Sequence, residues 1–316
     1  MKIIEEINNI TLVPCVATIG CFDGVHCGHK YLVQQVIDYA HSSGLKSALI
    51  TFTIHPRQVM QSDYRPKLLS CLKQKIELIS ELQADYCFMM PFTIELSKLS
   101  AYEFMKYLKD VYKVHALVIG YDHRFGHNRT ESFEDYCKYG KELGINVVRA
   151  HALIRNDLSI SSSLIRSLLK EGKITEANEY LGYHYYIDGK VTNGFRNGHK
   201  LGFPTANLVL SCENKLLPAN GVYAIRACFD GKIYNGMLNI GFRPTFNNGN
   251  HLSIESHLFN FSDDLYNKDM RIFFLKYIRS EKKFESLDEL HTQLKIDKED
   301  ITEYLTKHID TEGNIL

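Results

Sequence analysis

The sequence has no surplus of either charge: 37 Lys and Arg stand against 37 Asp and Glu in 316 residues. Binding to nucleic acid or to an anionic membrane draws its affinity from excess cations. Neither is therefore expected as a partner, and only a local basic pocket stays open. The balance holds on both sides of Gly182, with 21 basic and 20 acidic residues up to it and 16 and 17 after it. No stretch approaches the roughly 18 apolar residues that a membrane-spanning helix needs. The start, Met1-Lys2-Ile3-Ile4-Glu5-Glu6, has acids where a signal peptide needs its apolar run, so a cytoplasmic protein is expected. The eight cysteines contain no C-x-x-C pair and no His/Cys group at zinc spacing, which argues against a metal knuckle. Internal repeats, low-complexity segments and a G-x-x-x-x-G-K-[ST] phosphate loop are also missing.

What is present is the balance of a globular enzyme, 45% hydrophobic and 23% charged, at a length that suggests two domains. Short apolar and β-branched runs recur at Val16–Ile19, Ala48–Phe52, Tyr86–Met90, Ala116–Ile119 and Asn146–Val148. Helical patterns lie between them. From Lys30 to His41, Leu32, Val36 and Ala40 share one face with Val33 and Ile37 beside it, and Gly44 is placed as a C-terminal cap. Strand and helix in alternation predict a parallel α/β sheet of the Rossmann-like kind. Two short helices, at Ser162–Leu169 and Thr175–Leu181, close this part, and the spacing changes near residue 183. Strand-like segments with Gly and Asn turns then continue to about Ile278, predicting a small antiparallel β-barrel. Ser286-Leu287-Asp288-Glu289 opens a terminal helix with a capping box. The expected domains are 1–182 and 183–316.

The first chemical motif is Gly20-Cys21-Phe22-Asp23-Gly24-Val25-His26-Cys27-Gly28-His29, directly after the first predicted strand and opening the first amphipathic helix. Phosphates bind at the carboxyl ends of parallel strands, where a helix N-terminus offers free N–H groups and glycines allow close approach. His26 and His29, with Gly28 between them, can point at one triphosphate and stabilise charge on its α-phosphate and leaving pyrophosphate. A Gly-rich turn with two surface histidines is the plainer alternative. Ser161-Ser162-Ser163-Leu164-Ile165-Arg166 sits at another helix start, with hydroxyls for phosphate oxygens and an arginine one turn in, although serine caps are ordinary.

Together these two stretches resemble the signatures of the nucleotidyltransferase superfamily, and the first part is similar to the FMN adenylyltransferase module of prokaryotic bifunctional riboflavin kinase/FAD synthetases. Thr51-Phe52 with His55-Pro56-Arg57, and Gly120-Tyr121-Asp122-His123-Arg124-Phe125-Gly126, resemble that family's loops after its second and fourth strands. The resemblance implies that Gly20, Phe22, Asp23, Gly24, Gly28, Ser161, Ser162, Ser163 and Arg166 bind ATP, and that His55, Pro56, Arg57, Asp122, Arg124 and Phe125 are flavin candidates. His55 reads equally well as a turn residue before Pro56, and Arg124 as a surface cation.

The second motif is Gly202-Phe203-Pro204-Thr205-Ala206-Asn207, preceded by the basic loop Asn193-Gly194-Phe195-Arg196-Asn197-Gly198-His199-Lys200. Such a loop can fold backbone N–H groups over phosphates. Thr205 and Asn207, two apart on an extended segment, point to one side and can ligate a Mg²⁺ held by ATP. A hairpin turn leading into a strand is the plainer alternative. The string is similar to the riboflavin kinase signature, and Gly221-Val222-Tyr223-Ala224, Asn239-Ile240-Gly241-Phe242-Arg243-Pro244-Thr245, Ile254-Glu255-Ser256-His257 and Asp264-Leu265-Tyr266 follow in that family's order.

The resemblance thus covers nearly the whole chain. It implies phosphorylation of riboflavin to FMN by the second module, with Glu255 as general base. Without it, Glu255 reads as an exposed strand glutamate. It further implies adenylylation of FMN to FAD by the first module, with His26 and His29 as its catalytic groups. Gly194, Gly198, Lys200, Gly202, Pro204, Thr205 and Asn207 would hold ATP in the second module. Mg²⁺ is the implied cofactor, ATP the co-substrate, and flavin substrate and product rather than a redox group. A homo-oligomer is compatible with the sequence. The chain departs from the family's pattern at His199 in place of Arg, Ser163 in place of Thr, Asn267 in place of Gly, and at His123 and Asp122. An enzyme with one working module, or a flavin- and nucleotide-binding regulator without turnover, are the alternatives.

Overall fold

The computed structural model describes the chain except for residues 7–10, 61–65, 122, 156–157, 193–201, 245–249 and 309–316. The described residues form two compact units, Met1–Ser162 and Ser163–Leu316.

The first unit runs β1 (Lys2–Ile4), β2 (Cys15–Ile19), α1 (Cys27–Ser43), β3 (Lys46–Phe52), α2 (Pro56–Met60), α3 (Leu72–Ser80), β4 (Tyr86–Met90), α4 (Ile94–Lys98), α5 (Ala101–Tyr112), β5 (Val114–Ile119), α6 (Phe133–Leu143), β6 (Asn146–Arg149), β7 (Ile154–Arg155) and β8 (Leu158–Ser159). Six strands make one sheet in the order β1-β4-β3-β2-β5-β6, and every pairing is parallel. All five residues of β2 are buried, as a strand covered on both faces requires.

Its side chains alternate between two cores. Val16 packs with Val36 and Ala40 of α1 and with Ala116 and Val118 of β5. Cys15, Ala17 and Ile19 belong to the opposite core with Met105 and Leu108 of α5 and Leu143 of α6. The predicted helix 30–41 proves longer, starting at Cys27, and it ends as expected at Gly44, whose φ of 64° places it in the left-handed region with its N–H donating to Ala40 O and His41 O. Strand β1 and the β7-β8 hairpin were not anticipated. Three and two residues respectively are too short to show a period.

The second unit contains α7 (Ser162–Lys170, from its second residue), α8 (Ile174–Leu181), β9 (Tyr186–Thr192), β10 (Ala206–Leu210), β11 (Gly221–Phe229), β12 (Lys232–Pro244), β13 (Asn250–Leu258), β14 (Asp269–Arg279) and α9 (Leu287–His308). The strands close into an antiparallel barrel in the order β10-β13-β12-β11-β14-β9, so no sheet edge is left open. Helix α8 joins the barrel wall, its buried Asn178 donating to Phe274 O at 2.9 Å and accepting from Tyr185 N at 2.7 Å.

Leu238, Ile240 and Ile254 are buried on one face of β12 and β13. On the other face Met237, with Ala224 and Leu275, packs against Ile301 and Leu305 of α9. The expected capping box of α9 forms in part. Ser286 Oγ accepts from Glu289 N at 3.1 Å, while the Glu289 carboxylate reaches one residue further back and accepts from Glu285 N at 3.0 Å.

Candidate active sites

In the first unit the chain turns from β2 to β3 on one side, and β5 lies on the other side of β2. The crevice beyond the carboxyl ends of β2 and β5 is therefore a topological switch point, where open α/β sheets bind ligands. Two of the motif loops leave from it.

The turn after β2 is tight. Phe22, Gly24 and Val25 all have positive φ, at 48°, 80° and 37°. Two of them carry side chains, a strained arrangement that surrounding bonds must hold. Gly24 N donates to Ser70 Oγ at 2.9 Å, and the buried Asp23 carboxylate accepts from Leu69 N at 3.1 Å and from Ser70 N at 2.9 Å. The Asp23 side chain, expected at the phosphates, is thus engaged by the 69–70 backbone, and these bonds shape the turn. Phe22 is buried as well.

His26 caps α1. Its backbone is extended (φ −68°, ψ 171°) and its Nδ1 accepts from His29 N at 3.3 Å. An accepting Nδ1 leaves Nε2 to carry the proton of the neutral ring. The His26 and His29 rings stack with centroids 3.6 Å apart and 17° between planes, and His29 tilts against Phe22 at 5.1 Å. His29 Nδ1 is buried and has no hydrogen-bond partner among the described residues. Burial, then the neighbouring charges of His26 and His123, hold the His29 imidazole well below its usual range. A Cβ on Gly28 would lie 3.1 Å from both the His26 ring and Ile160 O, so glycine permits this close packing.

Ser162 Oγ donates to Asp23 O at 2.9 Å, joining the start of α7 to the turn. Ser161 precedes that helix and is half-buried. Ser163, exposed, and Arg166, half-buried, stand on α7 within the second unit.

Of the flavin candidates, His55 takes the capping role: its Nδ1 accepts from Arg57 N at 3.2 Å, with buried Pro56 opening α2 and Arg57 exposed. Arg124 is exposed. The Phe125 ring lies in the core, stacked on Tyr136 at 4.3 Å, and Tyr136 Oη accepts from Phe125 N at 3.0 Å and donates to Phe125 O at 3.1 Å. It is a packing anchor and offers no exposed ring face. Asp122 lies outside the described residues.

Sequence reasoning missed Lys75. This buried lysine of α3 donates to Phe52 O at 2.6 Å, Thr51 Oγ1 at 3.3 Å and Cys21 O at 3.4 Å, tying the ends of β2 and β3 together. Burial lowers its pKa, against the opposing pull of Cys21 and Asp23. Its only sequence signal is a cation on the buried face of an amphipathic helix.

In the second unit, Ala206 pairs with Ser256 and Asn207 with Glu255, while Glu255 also pairs with Asn239 of β12. Asn207, Glu255 and Asn239 therefore form one row across three strands on the face that α9 covers. A cavity of about 300 Å³ lies there, lined among others by Thr205, Glu255, His257, Arg279 and Phe284, with Leu290 and Leu294 of α9. A second cavity of about 630 Å³ is lined by Thr192, Pro204, Thr205, Ser256 and the 261–266 segment, which includes Asp264, Leu265 and Tyr266. Thr205 borders both. The wall supplied by Arg279, Phe284 and α9 was not anticipated, because nothing local in those residues announces a cavity.

Gly202 has a φ of 71° and is exposed. Gly194, Gly198 and Lys200 lie outside the described residues. Among the described residues no group of three or more His, Cys, Asp or Glu is placed to hold a metal. The hard, neutral oxygens of Thr205 and Asn207 suit a Mg²⁺ whose charge is met chiefly by nucleotide phosphates.

An imidazole-lined switch point on one unit and a carboxylate-lined barrel on the other define a transferase with two phosphate-chemistry modules. The family model described as FAD synthetase matches residues 9–164, and that described as riboflavin kinase matches residues 181–305. The chain is 35% identical, over 92% of each sequence, to the bifunctional riboflavin kinase/FMN adenylyltransferase of Bacillus subtilis. It is 34% identical to the protein of the same name from Escherichia coli, over 94% of this chain and 96% of that one. A crystal structure described as a macrolide-efflux protein from Streptococcus pneumoniae superposes with a TM-score of 0.85 and 28% identity over 95% of this chain and 98% of that one. Among the described residues no helix of this chain is long and apolar enough to cross a membrane. The chain belongs to the bifunctional riboflavin kinase/FMN adenylyltransferase family.

Proposed function

We propose that residues 183–316 phosphorylate riboflavin to FMN and that residues 1–182 adenylylate FMN to FAD, each with ATP. The observation that carries this reading is the arrangement around Thr205, which borders a small cavity holding Glu255 and a larger one able to take a nucleotide. On this reading riboflavin occupies the smaller cavity with its ribityl hydroxyl at Glu255. The carboxylate takes the hydroxyl proton as the oxygen bonds to the γ-phosphorus and the bond to ADP breaks. Thr205 and Asn207 would hold Mg²⁺, which supplies charge neutralisation on the transferring phosphates, and Gly194, Gly198, Lys200, Gly202 and Pro204 would embrace the nucleotide.

In the adenylylation step an oxygen of the FMN phosphate attacks the α-phosphorus of ATP and pyrophosphate leaves. Little covalent work falls to the protein. The Nε2–H of His26, the His29 ring and the backbone N–H groups at the start of α1 neutralise the developing charge. Ser161 and Ser162 add hydroxyls to the ATP contacts in this reading, while Gly20, Phe22, Asp23, Gly24 and Gly28 shape the turn. His55, Pro56, Arg57 and Arg124 stand as flavin contacts. The enzyme is assigned to the cytoplasm, where riboflavin and ATP are both at hand.

The test is incubation with riboflavin, ATP and Mg²⁺, separating flavins by chromatography over time, and a repeat starting from FMN. FMN followed by FAD is expected. Conversion in only one of the two starts would leave a single working module, and binding without conversion in either would leave a regulator.

A further inference from the structure

The pairing of β2 with β5 sets Ala17 opposite Leu117, and the same parallel register carries Ile19 to the level of Ile119. Gly20 and Gly120 therefore leave the sheet side by side. After Gly120 the chain turns back at once, His123 N donating to Gly120 O at 3.0 Å. A Cβ on Gly120 would lie 3.5 Å from His123 Cβ and 4.0 Å from Leu32 Cδ2. Leu32 stands about one turn beyond His29 on α1, so Gly120 lies between the His123 Cβ and the second turn of that helix. Its ring lies edge-on to Phe125 at 6.2 Å, and Phe125 is itself fixed by Tyr136. The charge of His123 acts on His29, whose buried Nδ1 has no hydrogen-bond partner among the described residues.

We infer that His123 is a third imidazole of the switch-point site and binds a phosphate of the nucleotide together with His26 and His29; this rests on the adenylylation reading above. Burial and the charges of His26 and His123 disfavour protonation of His29 in the absence of an anion. A triphosphate reverses that balance, because each imidazolium gains a charge-assisted hydrogen bond to phosphate oxygen. Nucleotide binding therefore takes up protons, and affinity falls as pH rises through the imidazole range.

Among the described residues, the other charged side chains on the surrounding elements include those of Asp23, Lys75, Lys30, Arg149 and Arg124. The Asp23 carboxylate is held by the 69–70 backbone, Lys75 of α3 ties the strand ends, and Lys30 follows His29 on α1. Arg149 of β6 donates to Tyr121 O at 3.2 Å, and Arg124 on the same loop as His123 is exposed.

The test compares wild type with H123F, which keeps a ring beside Phe125 and removes the titration. FAD formation is measured from FMN, with the KM for ATP determined at about pH 6 and at about pH 8.5. The variant is expected to raise that KM about fivefold at the lower pH and to converge with wild type at the higher, since only the protonated ring attracts the anion. Riboflavin phosphorylation by the same preparation reports on folding. H123N, polar and not titrating in this range, repeats the measurement if Phe disturbs the fold, with the same expected loss. Equal KM values at both pH values, or kcat and KM altered by one factor at every pH, would overturn the inference. Absence of FAD from FMN with wild type would remove the adenylylation reading and this inference with it, whereas normal FAD formation in both variants would remove the inference alone.

Discussion

His257 donates its Nδ1–H to the carbonyl of Pro204 at 2.8 Å, so a buried imidazole on β13 fixes the peptide immediately before Thr205. Its ring also lies edge-on to Phe203 at 5.1 Å. Glu255 stands two residues away on the same face of β13, and both line the smaller cavity. The bond therefore sets the spacing between the proposed base and the proposed metal-binding hydroxyl. Replacing His257 by Ala would leave the Pro204 carbonyl without this partner at a cost of about 1–3 kcal/mol. Riboflavin phosphorylation should fall at least about tenfold through misplacement of Thr205, with FAD formation from FMN unchanged. Separate initial rates from the two flavins check this.

Stability should also fall with acid. Burial holds both His29 and His257 below their ordinary pKa, so the folded protein resists a proton that the unfolded chain accepts near pH 6.5. Below that value the unfolded state binds more protons than the native state, and the free energy of unfolding declines as pH drops. The melting temperature is expected to fall from about pH 7 to about pH 5.5, and H257Q should flatten the slope. Thermal melts of the two proteins across that range are the measurement.

Lys75 bears on the other unit. Its Nζ bridges Cys21 O, Thr51 Oγ1 and Phe52 O, so Met at this position would leave two carbonyls and a hydroxyl without their cation. The expected cost to the first unit is about 1–3 kcal/mol, offset in part by relief of a buried charge. The turn carrying His26 should lose its fixed position against β3. FAD formation from FMN is expected to drop about tenfold or more, while riboflavin phosphorylation serves as the unaffected control. Equal loss of both activities in steady-state assays would contradict a local role.

How far the architecture was legible follows from which signals are local. The β4 run Tyr86–Met90 is visible because an apolar segment with helices before and after it has one stable use, a doubly covered parallel strand. His26 and His29 are visible because they stand at a strand-to-helix turn, the place where a phosphate site forms. Phe125 shows the limit: a motif places it near a ligand, but its ring is turned inward onto Tyr136, and only packing decides that direction. Asp23 shows the same, since the backbone N–H groups that claim it come from residues 69 and 70. Lys75 and Arg279 act through partners distant in sequence, and no spacing rule reaches them.

The last prediction concerns that distance. Arg279, at the end of β14, lines the smaller cavity and forms a double bond pair with Asp297 of α9, Nε to Oδ1 at 2.8 Å and Nη2 to Oδ2 at 2.7 Å. Asp297 is 1% exposed and also accepts from Gln293 Nε2 at 3.0 Å. Parallel, bidentate geometry of this kind fixes orientation as well as distance. It therefore locks α9, with Leu290 and Leu294, as the lid wall of the cavity beside Glu255. Asp297→Asn keeps the shape and removes the charge, leaving the half-buried Arg279 beside a neutral amide, which should destabilise the second unit by about 3 kcal/mol. Arg279 would then be free to swing into the cavity. The KM for riboflavin should rise more than kcat falls, because the wall contacts ground state and transition state alike. Urea unfolding together with phosphorylation kinetics tests both halves, and a variant as stable as wild type with unchanged KM would show that α9 is held by its apolar face alone.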